Sequence, residues 1–249
     1  MRTRTAVVLF TCWLATTDLS TVTASQPPDS PASSALRFFQ AFRPADLAQW
    51  LRALRPAPIT PGQHARAVAV LPEAGELTPG RDEHAKLAML EAVLVYHERV
   101  QVFETKLIDV PQAVVALYQR AVILISRPAL RLVSGAELQA LVAHEIGHEY
   151  FWDDFERTHE RRDKLGRQEL ELKCDGIAVL TLIGVGGNPA RLVAGLRKML
   201  RFNQAMGAVA NADEYPGLQD RQRLVTAIRA LARPSRSSSA NDGGRAPRP

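Results

Sequence analysis

SGAELQALVAHEIGHEYF, residues 134–151, decides how the rest of this chain is read. Ser134 stands three residues before Glu137, the spacing of a capping box, so a helix begins near Gly135. On that helix His144 and His148 are four apart and lie one above the other, able to hold one ion through two imidazoles. Glu145 is turned about 100° from His144, so it stands beside such an ion without binding it. Leu138, Val142 and Ile146 form an apolar ridge on another side, which anchors the helix on a core. Zinc suits this constellation, because it polarises a carbonyl and activates water from which a neighbouring carboxylate can take a proton.

A catalytic zinc takes three protein ligands and keeps one position open. The segment ELKCD supplies the third, since Glu171 and Asp175 are again four apart on one helical face. Glu171 is assigned to the metal. Asp175 fits behind it, accepting the far N–H of His144 and fixing that ring's tautomer. Taken alone, the two acids read as solvated carboxylates at a charged helix start; the histidine motif upstream changes that reading.

Working outward, AVILIS (121–126) is a short run of branched residues and VQVFETKLIDV (100–110) partly alternates, so both read as strands. LRFFQAFRPADLAQWLRALRP (36–56) has helical spacing interrupted at Pro44, a packing helix or helix pair. PAPITPG and LTPG read as loop, and HAKLAMLEAVLVYHERV (84–100) as a helix. A charged connector, ERTHERRDKLGRQ (156–168), leads into the helix ELELKCDGIAVLTLIG, which GVGGNP (184–189) ends. PARLVAGLRKMLRF (189–202) and DRQRLVTAIRALAR (220–233) are helical. The expected class is α+β, mostly helical, with a small sheet.

The ends differ from this middle. Arg2 and Arg4, the apolar run AVVLFTCWLAT (6–16) and the small pair Val22 and Ala24 make residues 1–24 a signal peptide. That run is shorter than the roughly 20 residues a membrane span needs, so an uncleaved anchor and a lipoprotein at Cys12 are the lesser alternatives. Residues 25–35, rich in Pro and Ser, are expected to be a disordered linker, residues 36–233 a single domain, and residues 234–249 a disordered basic tail. The signal places the chain outside the cytoplasm, periplasmic or extracellular. Cys174 is then the one cysteine left, so no internal disulfide forms. A net charge of +5, spread along the chain without aromatic interleaving, argues against a nucleic-acid partner.

HEIGH followed by ELKCD resembles the HExxH…ExxxD arrangement of the gluzincin zinc metallopeptidases, in particular the group of HtpX, the CaaX prenyl proteases and the BepA-type periplasmic proteases. AVILIS with SGAELQALVAHEIGHEY, then KCDGIAVLTLIGVGGNPARLVAGLRKML, then DEYPGLQDRQRLVTAI match that group's segments in order, over residues 88–231. The resemblance implies a zincin-like domain whose edge strand precedes the motif helix, with one Zn2+ on His144, His148 and Glu171, and Asp175 in support. It implies Glu145 as general base and Arg221 as the group's late arginine, a candidate catalytic residue. Val122, Ile123, Leu124 and Ile125 would be the edge strand that binds an extended substrate. The implied function is a zinc-dependent endopeptidase acting on extracytoplasmic proteins or peptides, a soluble member without the group's long hydrophobic spans. Three positions depart from the pattern. Tyr215 replaces a histidine before proline, where a phenol could donate to an oxyanion or simply pack. Glu149 carries a charge where such helices keep an uncharged residue, and Cys174 replaces alanine. The first two motivate the alternative, a non-catalytic zinc-stabilised chaperone-like or peptide-binding module of the cell envelope. Of the other histidines, His64, His84 and His97 read as surface or packing residues, and His159 stands out for lying between the two ligand helices.

Overall fold

The structure, a computed structural model, describes residues 30–41, 43, 47–71, 77–208 and 214–233. The signal peptide expected over residues 1–24 and the basic tail expected over 234–249 lie outside these residues. Five short helices lead in: α1 (Pro31–Gln40), α2 (Leu47–Leu54), α3 (Pro61–Ala69), α4 (Arg81–Ala88) and α5 (Glu91–Tyr96). Three strands follow, β1 (Glu104–Ile108), β2 (Val115–Tyr118) and β3 (Val122–Ser126). The chain then continues through α6 (Arg127–Leu132), α7 (Gly135–Tyr150), α8 (Trp152–Glu160), α9 (Lys164–Gly184), α10 (Ala190–Ala205) and α11 (Leu218–Leu231). This is the mostly helical α+β class expected from the sequence. Among the described residues no helix is long and apolar enough to cross a membrane.

Several boundaries differ from expectation, each for a local reason. The linker expected over 25–35 is helical from Pro31, because Ser30 accepts from the Ser33 N–H and proline suits the first helical position. PAPITPG contains the start of α3, capped by Thr60 with Gln63 reaching back. The 84–100 stretch divides into α4 and α5. Most of the connector expected over 156–168 is helical, belonging to α8 and to the first turns of α9.

The sheet order is β1-β3-β2, with β1 parallel and β2 antiparallel to β3. The expected edge strand is therefore the central one: Val122, Ile123, Leu124 and Ile125 are paired on both sides. Burial explains this. Ile123 and Ile125 face the main core, while Val122 and Leu124 pack with Ala67 of α3 on the opposite face. A strand covered on both faces has a continuous apolar sequence and sits inside a sheet. The edge beside the motif helix is β2, which sequence reading missed.

The motif helix and α9 form the centre of the molecule. Every residue of α7 from Glu137 to Glu149 is buried, so Leu138, Val142 and Ile146 belong to a helix enclosed all round, not to a single apolar ridge. At the closest crossing, a Cβ on Gly147 would stand 2.7 Å from Cys174 Cα. Only glycine permits that approach, and it offsets the roughly 1 kcal/mol that mid-helix glycine costs. Cys174 is small enough to sit beneath it, which accounts for the thiol at this position. The crossing lies one residue from His148 and one from Asp175, so backbone contact fixes how the two polar faces meet.

Candidate metal centre

His144, Glu145 and His148 are buried, and one ligand atom from each lies within 4.8 Å of the others. This buried group could hold a metal ion. From α9, Glu171 reaches both rings: its Oε2 lies 3.4 Å from His144 Nε2 and its Oε1 3.6 Å from His148 Nε2. These separations exceed a good N–H···O bond. They are close to the edge, about 3.3 Å, of a tetrahedron with the bond lengths zinc adopts.

The carboxylates behind the rings are fixed in turn. His144 Nδ1 donates to Asp175 Oδ1 at 2.8 Å, which leaves Nε2 on the open side of the ring. Arg221 of α11 donates from Nη1 to Asp175 Oδ1 at 2.7 Å and from Nη2 to Glu171 Oε2 at 3.0 Å. The guanidinium is fully buried. A residue expected among the catalytic groups thus grips two carboxylates from behind and positions them.

Glu145 faces the sheet: its Oε2 accepts from the backbone N–H of Leu117 in β2 at 3.0 Å. Burial raises its pKa to about 7, against the opposing pull of His144. Burial lowers His148 to about 4, so the ring is neutral near pH 7, the form that binds metal. Burial alone would raise Glu171, but His144, His148 and Arg221 outweigh it and hold the group well below the ordinary carboxylate range. Three carboxyl groups, Glu145, Glu171 and Asp175, meet one guanidinium here, and a bound cation would offset the negative charge that Arg221 leaves uncompensated.

The two histidines are held unequally. His148 Nδ1 is buried with no hydrogen-bond partner among the described residues. Its ring instead meets Phe155 of α8 edge-on at 5.9 Å, and Phe155 stacks with Trp152 and His159. His159, conspicuous in the sequence, therefore ends an aromatic row leading away from His148. Tyr215 is half-buried in the turn before α11. Its neighbour Glu214 pairs with Arg167, one helical turn before Glu171.

Two further buried polar groups surround the centre. Glu149 is paired with Arg99 Nε at 2.8 Å and Arg120 Nη2 at 3.5 Å, and both arginines also donate to the Pro56–Ala57 backbone. The unexpected charge on α7 thus ties the α2–α3 connection to the β2–β3 turn. His97 is buried between Tyr150 and Thr181. The Thr181 hydroxyl donates to the Ile177 carbonyl, so it accepts from His97 Nε2–H, and His97 Nδ1 accepts from the Tyr150 hydroxyl. Neither arrangement was legible beforehand, because the side chains that meet in it come from positions 29 or more apart. No family model and no curated protein matches this sequence.

Proposed function

We propose that the protein is a zinc-dependent peptidase of the gluzincin type, with His144, His148 and Glu171 as ligands and Glu145 as general base, acting on peptides or proteins outside the cytoplasm. The observation that carries this reading is the division of labour among the acids. Glu171 approaches both imidazoles at a tetrahedral edge length, whereas Glu145 is turned to the strand edge at Leu117. When bound, zinc would supply a Lewis acid for the scissile carbonyl and for the attacking water. Glu145 takes a proton from that water and delivers it to the leaving amine, a task suited to a carboxyl whose pKa lies near 7. Asp175 and Arg221 hold His144 and Glu171 in place. An extended substrate would lie along β2, the edge strand that Glu145 touches. Tyr215 is a candidate donor to the oxyanion. The alternative of a non-catalytic binding module loses one of its two motives, since Glu149 is accounted for by Arg99 and Arg120.

The test combines metal content with cleavage of unfolded proteins. Purified protein should hold one zinc per chain and degrade them. Glu145→Gln should keep the zinc and lose at least about 100-fold in rate, while Glu171→Gln should lose the zinc. A zinc-loaded wild type no more active than Glu145→Gln across a broad substrate panel would end this reading.

A further inference from the structure

We infer that β1 joins two copies of this chain into a dimer, pairing antiparallel with its own copy about a two-fold axis at Thr105. β1 is the edge of the sheet remote from α7, and among the described residues it makes extensive contact with β3 alone. Glu104 and Thr105 are exposed, and Lys106, Leu107 and Ile108 are half-buried. In a ladder, alternate residues turn their peptide groups to one neighbouring strand. Glu104 N–H donates to the Ala121 carbonyl, and the parallel register with β3 is unbroken through Ile108. Glu104, Lys106 and Ile108 therefore face β3, while Thr105 and Leu107 hold their N–H and C=O groups toward the open side. Among the described residues nothing bonds to them there.

An open row of this kind accepts another strand, and proteins commonly blunt it with charge. Here the charges alternate in sign. Glu104 and Lys106 stand on one face of β1, 3.3 Å apart, with side chains 42% and 35% exposed. Two-fold symmetry makes residue i meet residue j and j meet i. With the axis at Thr105, the two Thr105 residues exchange both N–H···O bonds, and each Glu104 lies opposite Lys106 of the other copy. These are the close, non-hydrogen-bonded positions of an antiparallel pair, where opposite charges attract and like charges repel. The four groups form a ring of alternating sign.

Neighbouring registers lack that ring. An axis at Lys106 sets the two ammonium groups against each other and Glu104 against Ile108. An axis at Leu107 sets Lys106 against Ile108 and Glu104 against Val110. The segment Glu104-Thr105-Lys106 is thus self-complementary in one register, which makes a second copy the fitting occupant. This contact is separate from the candidate metal centre, which lies on the far side of β3 and β2.

The experiment is sedimentation of the full-length chain over a concentration series. Wild type should pass from monomer to dimer in the micromolar range. Thr105→Pro removes an outward N–H and no bond to β3, so it should weaken the dimer at least about tenfold. Glu104→Lys and Lys106→Glu each turn both attractive pairs repulsive and should each weaken it about tenfold. The double exchange, Glu104→Lys with Lys106→Glu, should restore association to within about twofold of wild type. If Thr105→Pro does not fold, these surface exchanges decide. Oxidation reads the register. Thr105→Cys should crosslink two copies above the wild-type level, because hydrogen-bonded partners have Cα atoms about 5.5 Å apart. Leu107→Cys, roughly 13 Å from its mate, should not. A wild type monomeric throughout, a dimer indifferent to Lys106→Glu, or a double exchange as weak as the single ones would overturn the inference. So would crosslinking through Leu107→Cys in place of Thr105→Cys.

Discussion

Glu145 and Glu149 lie one turn apart on the same buried helix and use their charge in opposite ways. Glu149 is enclosed by Arg99 and Arg120, and its function is complete once the chain has folded. Glu145 has a single backbone N–H and a carboxylate neighbour, and its proton affinity rises to about 7. Burial by itself therefore does not set a carboxyl group's proton affinity. What separates the two is whether the fold already supplies the countercharge.

The contrast can be broken most directly at Glu149. Glu149→Gln leaves two arginines facing each other in a buried site, and we expect it to cost about 3–5 kcal/mol of stability. Glu145→Gln should not lower stability. Thermal melts of the two metal-free variants side by side test the pair, and equal losses would erase the distinction.

A somewhat smaller effect is expected from acid. Burial, with Arg55 and Arg99 nearby, lowers His97 to about 3 from an unfolded value of 6.5. The unfolded chain thus binds the extra proton between these values. The stability this neutral ring contributes is fully present above about pH 6.5 and is lost as pH falls toward 3, at most about 5 kcal/mol and less at any pH above 3. Subtracting the melting profile of His97→Gln from that of the wild type should isolate this slope, and parallel profiles would refute it. Smallest is Gly147→Ala. The added methyl meets the Cys174 backbone, and we expect about 1–3 kcal/mol of destabilisation, measured by melting, and, on the proposed function, weaker zinc retention in chelator competition.

The sequence was most informative where chemistry and local rules coincide. The Ser134 capping box, the four-residue histidine spacing and the second pair at Glu171 and Asp175 needed only helix geometry, and α7 and α9 bring them together. Strand order was out of reach. AVILIS records burial on both faces but not which neighbours provide it, and β2 is four residues long without a flanking signal beyond Pro111. The partners of Arg221 and Glu149 escaped for a related reason. Each acts through partners 29 or more positions away, and no local pattern encodes such a meeting.

Cys174 turns the crossing of the two central helices into an internal reporter. Its sulfur is buried beneath Gly147, and its thiol is held far from ionisation. Alkylating reagents react with the thiolate, and this one becomes accessible to them only when α7 and α9 separate. The rate at which this thiol is labelled is thus a clock for the separation of the two central helices, one that needs no added ligand to run.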